Sequence, residues 1–242
     1  MKPRFIIFSP MYNNENYVKI HMDSVKNQTY VDWEHVIIDD NSTDKTYSII
    51  SNELTDSRCH VIRNKANLKW VANAMAFLPH YARPDDVIVC LDGDDWFSDW
   101  HVLEYLSKIY NEGIWLTYGQ FGATNPHWRG HRAEPFRNRC FRSHKWVFSH
   151  LKTFKYFLFM AIKNDDLKGP NGKYTPMTYD MAIMFPMLEM TPSDKIMFVN
   201  KILCIYNIDN PICVEKQDKS LQISLDHWFR SKTPYSILEN IK

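Results

Sequence analysis

The sequence predicts an α/β fold, a mixed and mostly parallel sheet flanked by helices, on three observations. Short continuous apolar runs recur, as strands buried on both faces require. Stretches with helical periodicity separate those runs in the first half, as parallel pairing requires. Carboxylates stand directly behind two of the runs, where open α/β sheets gather ligands.

The first strand is Phe5-Ile6-Ile7-Phe8, which leads into Ser9-Pro10-Met11-Tyr12-Asn13-Asn14-Glu15 and a helix near 15–26. The second, Val36-Ile37-Ile38, ends in Asp39-Asp40 and is followed by Asn41-Ser42-Thr43-Asp44. Ser42 reads as an N-cap and Asp44 suits the positive end of a helix near 43–54, but capping does not account for both Asp39 and Asp40. The third, Val87-Ile88-Val89-Cys90-Leu91, runs into Asp92-Gly93-Asp94-Asp95. Adjacent carboxylates repel, so this turn is either solvated or neutralised by a hard divalent ion. An EF-hand is excluded, because Trp96, Phe97 and Leu103 stand where that loop needs oxygen, glycine and glutamate.

A helix near 99–111 presents Val102, Leu103, Leu106 and Ile109 as one apolar stripe. From His150 onward, Leu151, Phe154, Phe157, Leu158, Ala161 and Ile162 fall on one helical face, leaving His150 and Lys152 at the helix start. Asp180 opens a further apolar helix over 179–189, and Ile196–Val199 with Ile202–Tyr206 reads as a hairpin-like pair around Asn200-Lys201.

At 242 residues, 45% hydrophobic and 24% charged, the composition is that of an ordinary globular domain, and the chain can bury a large core. A net charge of +1 argues against a dedicated nucleic-acid binder. Five cysteines, at 59, 90, 140, 204 and 213, form no CxxC pair and indicate neither a zinc ribbon nor a disulfide framework, so a reducing compartment is expected. The seven glycines include no phosphate-binding loop, which removes P-loop and Rossmann fingerprints. Only four consecutive apolar residues, Phe5–Phe8, precede Ser9-Pro10, too few for a signal-peptide core, and no run reaches membrane-spanning length. A cytoplasmic location is expected.

The order FSPMYNNENYV at 8–18, SVKNQTYVDWEHVIIDDNSTDKT at 24–46 and LDGDDW at 91–96 resembles a family-2 glycosyltransferase of the GT-A fold, DxD-containing and inverting, over about the first hundred residues. The resemblance implies one GT-A domain, with a Rossmann-like nucleotide-sugar-binding half at 1–118 and an acceptor-side half with the catalytic base at 119–242. It implies that Tyr12 stacks on the nucleotide base beside Pro10, Asn14 and Glu15, that Asp40 accepts from the base edge, and that Asp92, Asp94 and Asp95 handle the ribose and the metal bound to the diphosphate. Asp94 and Asp95 would hold Mn2+ or Mg2+. One ring and one carboxylate suit a base, which has an apolar face and a polar edge.

The chain departs from the family pattern at 64–73, where Lys69 occupies the place of a glycine. Lys69 either contacts the diphosphate or is a solvated loop residue; Asn67 and Asn73 are candidates beside it. Residues 127–155 hold eight Lys or Arg against one acid, Glu134, with Trp128, Phe136, Phe141, Trp146, Phe148 and Phe154 interleaved. This is either the acceptor side of the cleft, a surface reading anionic lipid, or a solvated basic face over core aromatics. His150 either faces the diphosphate or closes a helix end.

Asp180 resembles the acid preceding the family's second helix, with Tyr179 where Glu is often found, and is the expected general base; Asp165 and Asp166 are next in line. A glycosyltransferase of hexosyltransferase type is therefore expected, moving a sugar from a nucleoside diphosphate to a hydroxyl of a glycan, lipid-linked or protein-linked acceptor. UDP is the default nucleotide, with GDP and dTDP open. The rivals are a non-catalytic carbohydrate or nucleotide-binding module, which has no need of Asp180, and a sugar-phosphate nucleotidyltransferase. The latter wants a glycine-rich, arginine-bearing loop where this chain has Ser9-Pro10-Met11-Tyr12-Asn13.

Overall fold

The structure, a computed structural model, describes residues 2–125, 127, 133–136, 138–211 and 218–239. Its centre is a seven-stranded mixed sheet. Strands β1 (Phe5–Met11), β2 (Trp33–Asp39), β3 (Cys59–Arg63) and β4 (Val87–Cys90) form a parallel block in the order β3-β2-β1-β4. Two short strands, β5 (Trp96–Phe97) and β7 (Gly122–Ala123), lie outside it, while β6 (Leu116–Gly119), β8 (Lys152–Lys155) and β9 (Ile196–Val199) complete it as β4-β8-β6-β9. In that part β8 runs antiparallel to both β4 and β6, and β9 runs parallel to β6. A three-stranded sheet joins β5, β10 (Cys204–Tyr206) and β7.

Side chains alternate across a strand, and both faces of β1 are covered, which is why its sequence is continuously apolar. Phe5 and Ile7 pack toward α4 (Val102–Asn111) with Val102, Leu103 and Leu106. Ile6 and Phe8 pack toward α3 (Lys69–Tyr81) and α6 (Tyr179–Met190), with Trp70, Leu78, Ile183 and Leu188. Among the described residues the remaining α-helices are α1 (Val18–Lys26), α2 (Thr46–Glu53), α5 (Tyr156–Met160) and α7 (Lys219–Ser231).

Three local expectations are corrected. Ser42 does not cap α2: its hydroxyl accepts from Asn13 N at 3.0 Å, and Asp44 Oδ1 accepts from Thr46 N at 2.9 Å in its place. The helix expected from His150 is β8 followed by only the five residues of α5. Leu151 and Phe154 lie in opposite core layers, which an extended chain allows and one helical face does not. The pair at 196–206 is no hairpin: β9 extends the large sheet and β10 crosses to the small one, opposite β5. Neither Asn200 nor Lys201 takes the left-handed φ that a tight hairpin needs. Two elements, β3 and α3, were not expected at all and carry no continuous apolar signal, since β3 is a partly exposed edge strand and α3 contains Pro79.

A buried ion pair anchors the second half. Arg142 donates from Nε at 2.6 Å and Nη2 at 2.8 Å to the Glu189 carboxylate on α6, and from Nη1 to the Phe229 carbonyl on α7. Glu189 Oε2 also accepts from Tyr235 N at 3.1 Å. Removing one partner of such a pair strands a buried charge, at a cost of about 3–5 kcal/mol. Glu189→Leu is therefore expected to lower the unfolding free energy by that amount in urea titration, and Arg142→Met added to it should recover most of the loss.

Candidate functional site

A cavity of about 870 Å³ opens at the carboxyl ends of β1, β2 and β4, where the sheet delivers its acids. Asp40 lies on its rim. Its Oδ1 accepts from Asn64 Nδ2 at 2.7 Å and Leu68 N at 2.8 Å, and its Oδ2 from Lys69 N at 2.8 Å. Lys69 takes φ of 68°, the left-handed region, which explains the glycine resemblance at this place. Its Nζ stands 5.5 Å from the centre of the Tyr12 ring, which is 37% exposed and forms the cavity edge. Asn14 is buried and shapes this loop, its Oδ1 accepting from Tyr12 N at 2.8 Å. Pro10 and Asn67 line the same wall, and Asn67 Oδ1 is buried without a hydrogen-bond partner.

The acidic turn forms the floor. Tyr179 donates from its hydroxyl to Asp92 Oδ2 at 2.7 Å, and Asn210 donates from Nδ2 to Asp94 Oδ2 at 2.6 Å. Asp95 faces inward: its Oδ1 accepts from Asn207 N at 2.8 Å, while its Oδ2 is buried and unpartnered. A Cβ at Gly93 would run into the Met11 side chain, so only glycine lets the turn rest on β1. Burial raises the carboxyl pKa of Asp92 to about 6 and lifts Asp94 and Asp95 as well, the last further raised by its two acidic neighbours.

The second half supplies the opposite wall. Asp180, in the first turn of α6, accepts from Met181 N at 2.9 Å; burial raises its pKa while the charge of Lys152 holds it back. Lys152, on β8, is 1% exposed and still lines the cavity. Among the described residues its ammonium donates to His150 Nε2 at 3.2 Å and makes no ion pair. His150 stacks on Tyr206 with centroids 4.8 Å apart, and burial together with Lys152 keeps its ring neutral by pulling its pKa well down. Tyr179 stacks flat on Trp70 at 4.5 Å, joining α6 to α3 across the cavity.

The residues present fit a divalent cation. Asp92, Asp95 and His150 each offer one ligand atom, all within 4.8 Å of one another, and the orphaned Asp95 Oδ2 is a buried acceptor in need of a partner.

Most expected site residues meet here: Pro10, Tyr12, Asn14, Asp40, Asn67, Lys69, Asp92, Asp94, His150 and Asp180 all line the one cavity. Glu15 does not, because its carboxylate turns to the start of α2 and accepts from Lys45 N at 3.0 Å. Asp39 is structural, accepting from Ser42 N at 3.3 Å and pairing with Arg63 Nε at 3.1 Å. Asn73 is buried and accepts from Asn64 Nδ2. Asp165 and Asp166 lie elsewhere, bound by Lys168 and Lys232.

The basic, aromatic stretch is mostly framework: Arg142 binds Glu189, Arg139 donates to the Thr191 carbonyl, and Lys155 to that of Asp85. Phe136, Phe141 and Phe148 pack ring against ring. Lys145, Trp146, Ser149, His150 and Lys152 are what it gives the cavity. Trp128 and the basic residues 129, 132 and 137, like Cys213, lie outside the described residues. Trp70, Asn207 and Asn210 were not expected; no local pattern marks them, since they reach the acids through tertiary packing.

Residues 6–167 match the sequence profile of Glycosyl transferase family 2. Over 121 residues the chain is 31% identical to the Escherichia coli UDP-Glc:alpha-D-GlcNAc-diphosphoundecaprenol beta-1,3-glucosyltransferase WfgD, a match covering 49% of this chain and 46% of that one. Over 89 residues it is 35% identical to the putative teichuronic acid biosynthesis glycosyltransferase TuaG of Bacillus subtilis, covering 32% and 35%. The matches thus span less than half of either relative. The fold is similar to that of S. aureus TarS residues 1–349, with TM-score 0.62, 17% identity and coverage of 84% of this chain and 60% of that one. It is also similar to the Pyrobaculum calidifontis mannosyltransferase PcManGT solved with GDP-Man and Mn2+, with TM-score 0.62, 14% identity and coverage of 87% and 59%.

The raised pKa of Asp92 has a signed effect on the ligand-free protein. Between pH about 4 and 6 the folded state keeps a proton that the unfolded chain has released, so this group's contribution falls as pH rises and its full cost persists above pH 6. Asp92→Asn should therefore be more stable than wild type at pH 7.5 by ~1–2 kcal/mol, allowing for partial solvent access. Chemical denaturation across the pH range should show the gap closing by pH 4.

Proposed function

This chain belongs to glycosyl transferase family 2, and within that family we propose that its cavity binds a nucleoside-diphosphate sugar and passes the sugar, with inversion, to an acceptor hydroxyl. The observation that carries the proposal is the convergence on one cavity of a base-sized aromatic and carboxylate pair, an acidic turn, a buried lysine and a further acid on the facing helix. The two walls correspond to a donor half, 1–118, and an acceptor half, 119–242.

On the donor wall, Tyr12 offers a ring for stacking and Asp40 keeps one acceptor position free. A carboxylate has about four, and three are taken by Asn64, Leu68 and Lys69. An imide N–H of uracil suits that vacancy. UDP is the first choice of nucleotide, supported by the UDP-Glc in the name of WfgD and by the TarS structure with UDP-GlcNAc; GDP, bound by PcManGT, is the second. A lipid-linked diphosphate sugar is an acceptor class consistent with the name of WfgD.

Asp94 and Asp95, together with Asp92 and His150, whose ligand atoms lie within 4.8 Å of that of Asp95, would hold Mn2+ or Mg2+, which when bound supplies Lewis-acid charge toward the departing phosphate oxygens. Lys152, buried and without an ion pair among the described residues, is placed to donate to the same diphosphate as its charge develops. Asp180 takes the proton of the acceptor hydroxyl as that oxygen attacks the anomeric carbon from the face opposite the diphosphate. Burial makes Asp180 a stronger base than a solvated carboxylate, and Lys152 keeps it ionised. Trp146 and Lys145, with Ile223 on α7, offer a stacking and polar wall to the acceptor. Free thiols at Cys59, Cys90, Cys140 and Cys204 suit a reducing compartment, in keeping with a cytoplasmic reaction. Among the described residues no helix is long and apolar enough to cross a membrane.

Two measurements test this reading. In a thermal-shift screen, UDP with Mn2+ should raise the melting temperature more than UDP in EDTA, and Asp94→Ala should remove the metal-dependent part. Equal shifts in Mn2+ and EDTA would end the metal role. Asp180→Asn should keep donor affinity while turnover falls by ~10² to 10⁴-fold, the size of a lost general base. Retention of more than about a tenth of wild-type turnover, less loss than such a base accounts for, would move the base elsewhere.

A further inference from the structure

Beneath the acidic turn lie two histidines and a serine with no solvent exposure, Ser9 on β1, His21 on α1 and His35 on β2. None lines the cavity, and nothing in the proposed chemistry calls on them. Three buried polar side chains from three elements are costly unless their hydrogen bonds are satisfied, so their arrangement asks for a reason.

The partners assign every proton. His21 Nδ1 lies 2.6 Å from the carbonyl oxygen of Asp95, and a carbonyl only accepts, so Nδ1 carries the proton. No carboxylate pairs with this fully buried ring among the described residues, so an imidazolium here would be an unpaired buried charge; the ring is neutral and its Nε2 is an acceptor. That Nε2 faces Ser9 Oγ at 3.1 Å. His35 Nε2 faces the same hydroxyl at 3.0 Å, while His35 Nδ1 is buried with no partner. A proton on His35 Nδ1 would be an orphaned buried donor and would leave two ring lone pairs competing for one hydroxyl proton. The proton therefore sits on Nε2. The result is a one-way chain: His35 Nε2–H donates to Ser9 Oγ at 3.0 Å, with His21 Nε2 a second and longer acceptor at 3.3 Å, while Ser9 O–H donates to His21 Nε2 and His21 Nδ1–H to the Asp95 carbonyl.

We infer that this His35–Ser9–His21 chain is the positioning device of the acidic turn, setting the backbone at Asp95 so that the carboxylates of the turn converge as cation ligands. The turn is then held from several sides: by the chain at the Asp95 carbonyl, by the Asp92 carbonyl accepting from Asp95 N at 2.9 Å, and by Asn207 N at Asp95 Oδ1. What is left unheld is Asp95 Oδ2, the buried atom without a partner. The chain also reports the sheet to the site, because its links belong to β2, β1 and α1, and the parallel register of β1 on β2, with Ile7 opposite His35 and Ser9 opposite Ile37, brings Ser9 beside the His35 ring. The three are positioning residues, touching neither donor nor acceptor.

The inference rests on the proposed metal role of the turn, and two readouts separate them. Nitrogen-15 NMR of the ligand-free protein reads the tautomers with no metal present: His21 should be protonated at Nδ1 and His35 at Nε2, and the reverse assignment for His21 overturns the chain whatever the turn binds. Mn2+ affinity in the presence of UDP is then measured by calorimetry for His21→Leu, His21→Asn and Ser9→Ala. His21→Leu should weaken Mn2+ at least tenfold. His21→Asn, whose amide N–H can replace Nδ1–H, should restore it to within about threefold of wild type, although both variants lose melting temperature. Ser9→Ala, the smallest change and the one surest to fold, should weaken Mn2+ severalfold while UDP affinity in EDTA stays at the wild-type value. Equal Mn2+ affinity in all folded variants, or affinity that follows melting temperature with no rescue by Asn, overturns the inference. Wild type that binds UDP but no Mn2+ overturns the metal reading and this one with it, even with the tautomers as assigned.

Discussion

Like-charge crowding at the end of β4 is the constraint to which the rest of the site answers. Asp92, Asp94 and Asp95 stand within one turn, largely shielded from water, and burial raises the proton affinity of each. Such a cluster is tolerable because each acid is separately held. Asp92 accepts from Tyr179, Asp94 from Asn210 and Asp95 from the Asn207 backbone. Those donors come from α6 and from the segment after β10, more than eighty residues away in sequence. The second half of the chain therefore supplies the hydrogen bonds without which the acids of the first half could not be gathered.

Lys152 is the complementary element. β8 is the antiparallel insertion between β4 and β6, and its register opposite Cys90 brings a lysine beside the acidic turn. An ammonium at this depth lowers the proton affinity of Asp92 and of Asp180 together, so one side chain tunes both the floor of the cavity and the acid on the facing wall. The Arg142–Glu189 pair does for α6 what the sheet does for β8, fixing the helix from its buried end so that Asp180 is presented at the other.

How much of this was legible in the sequence follows from the range of the interactions. Strands β1, β2 and β4 and helices α1, α2 and α4 show themselves because burial on one or both faces writes a local period, and the acids behind β2 and β4 mark the site because carboxylates are rarely clustered without cause. His150–Met160 was misread because Leu151, Phe154 and Leu158 satisfy a helical period while serving an extended strand and then a short helix. Glu15 was misread because a short polar loop gives no sign of which carboxylate turns inward and which turns to a neighbouring helix end. Asn207, Asn210 and Trp70 were invisible, as their roles exist only after the halves have packed. The tilt of the basic segment from cleft to framework has the same origin: the partners of Arg139 and Arg142 lie about fifty residues downstream.

The flat stack of Trp70 on Tyr179 links a chromophore to the acidic turn through a single hydroxyl. Anything that draws on the electrons of Asp92 changes the polarity of the phenol lying 4.5 Å from the indole, and so changes the environment in which the indole emits. The protein thereby carries its own optical gauge of occupancy at the floor of the cavity. Trp146 also lines the cavity, but Trp70 alone stacks on the phenol that holds Asp92, so filling of the floor can be followed in real time as the part of the intrinsic fluorescence change lost in Trp70→Phe.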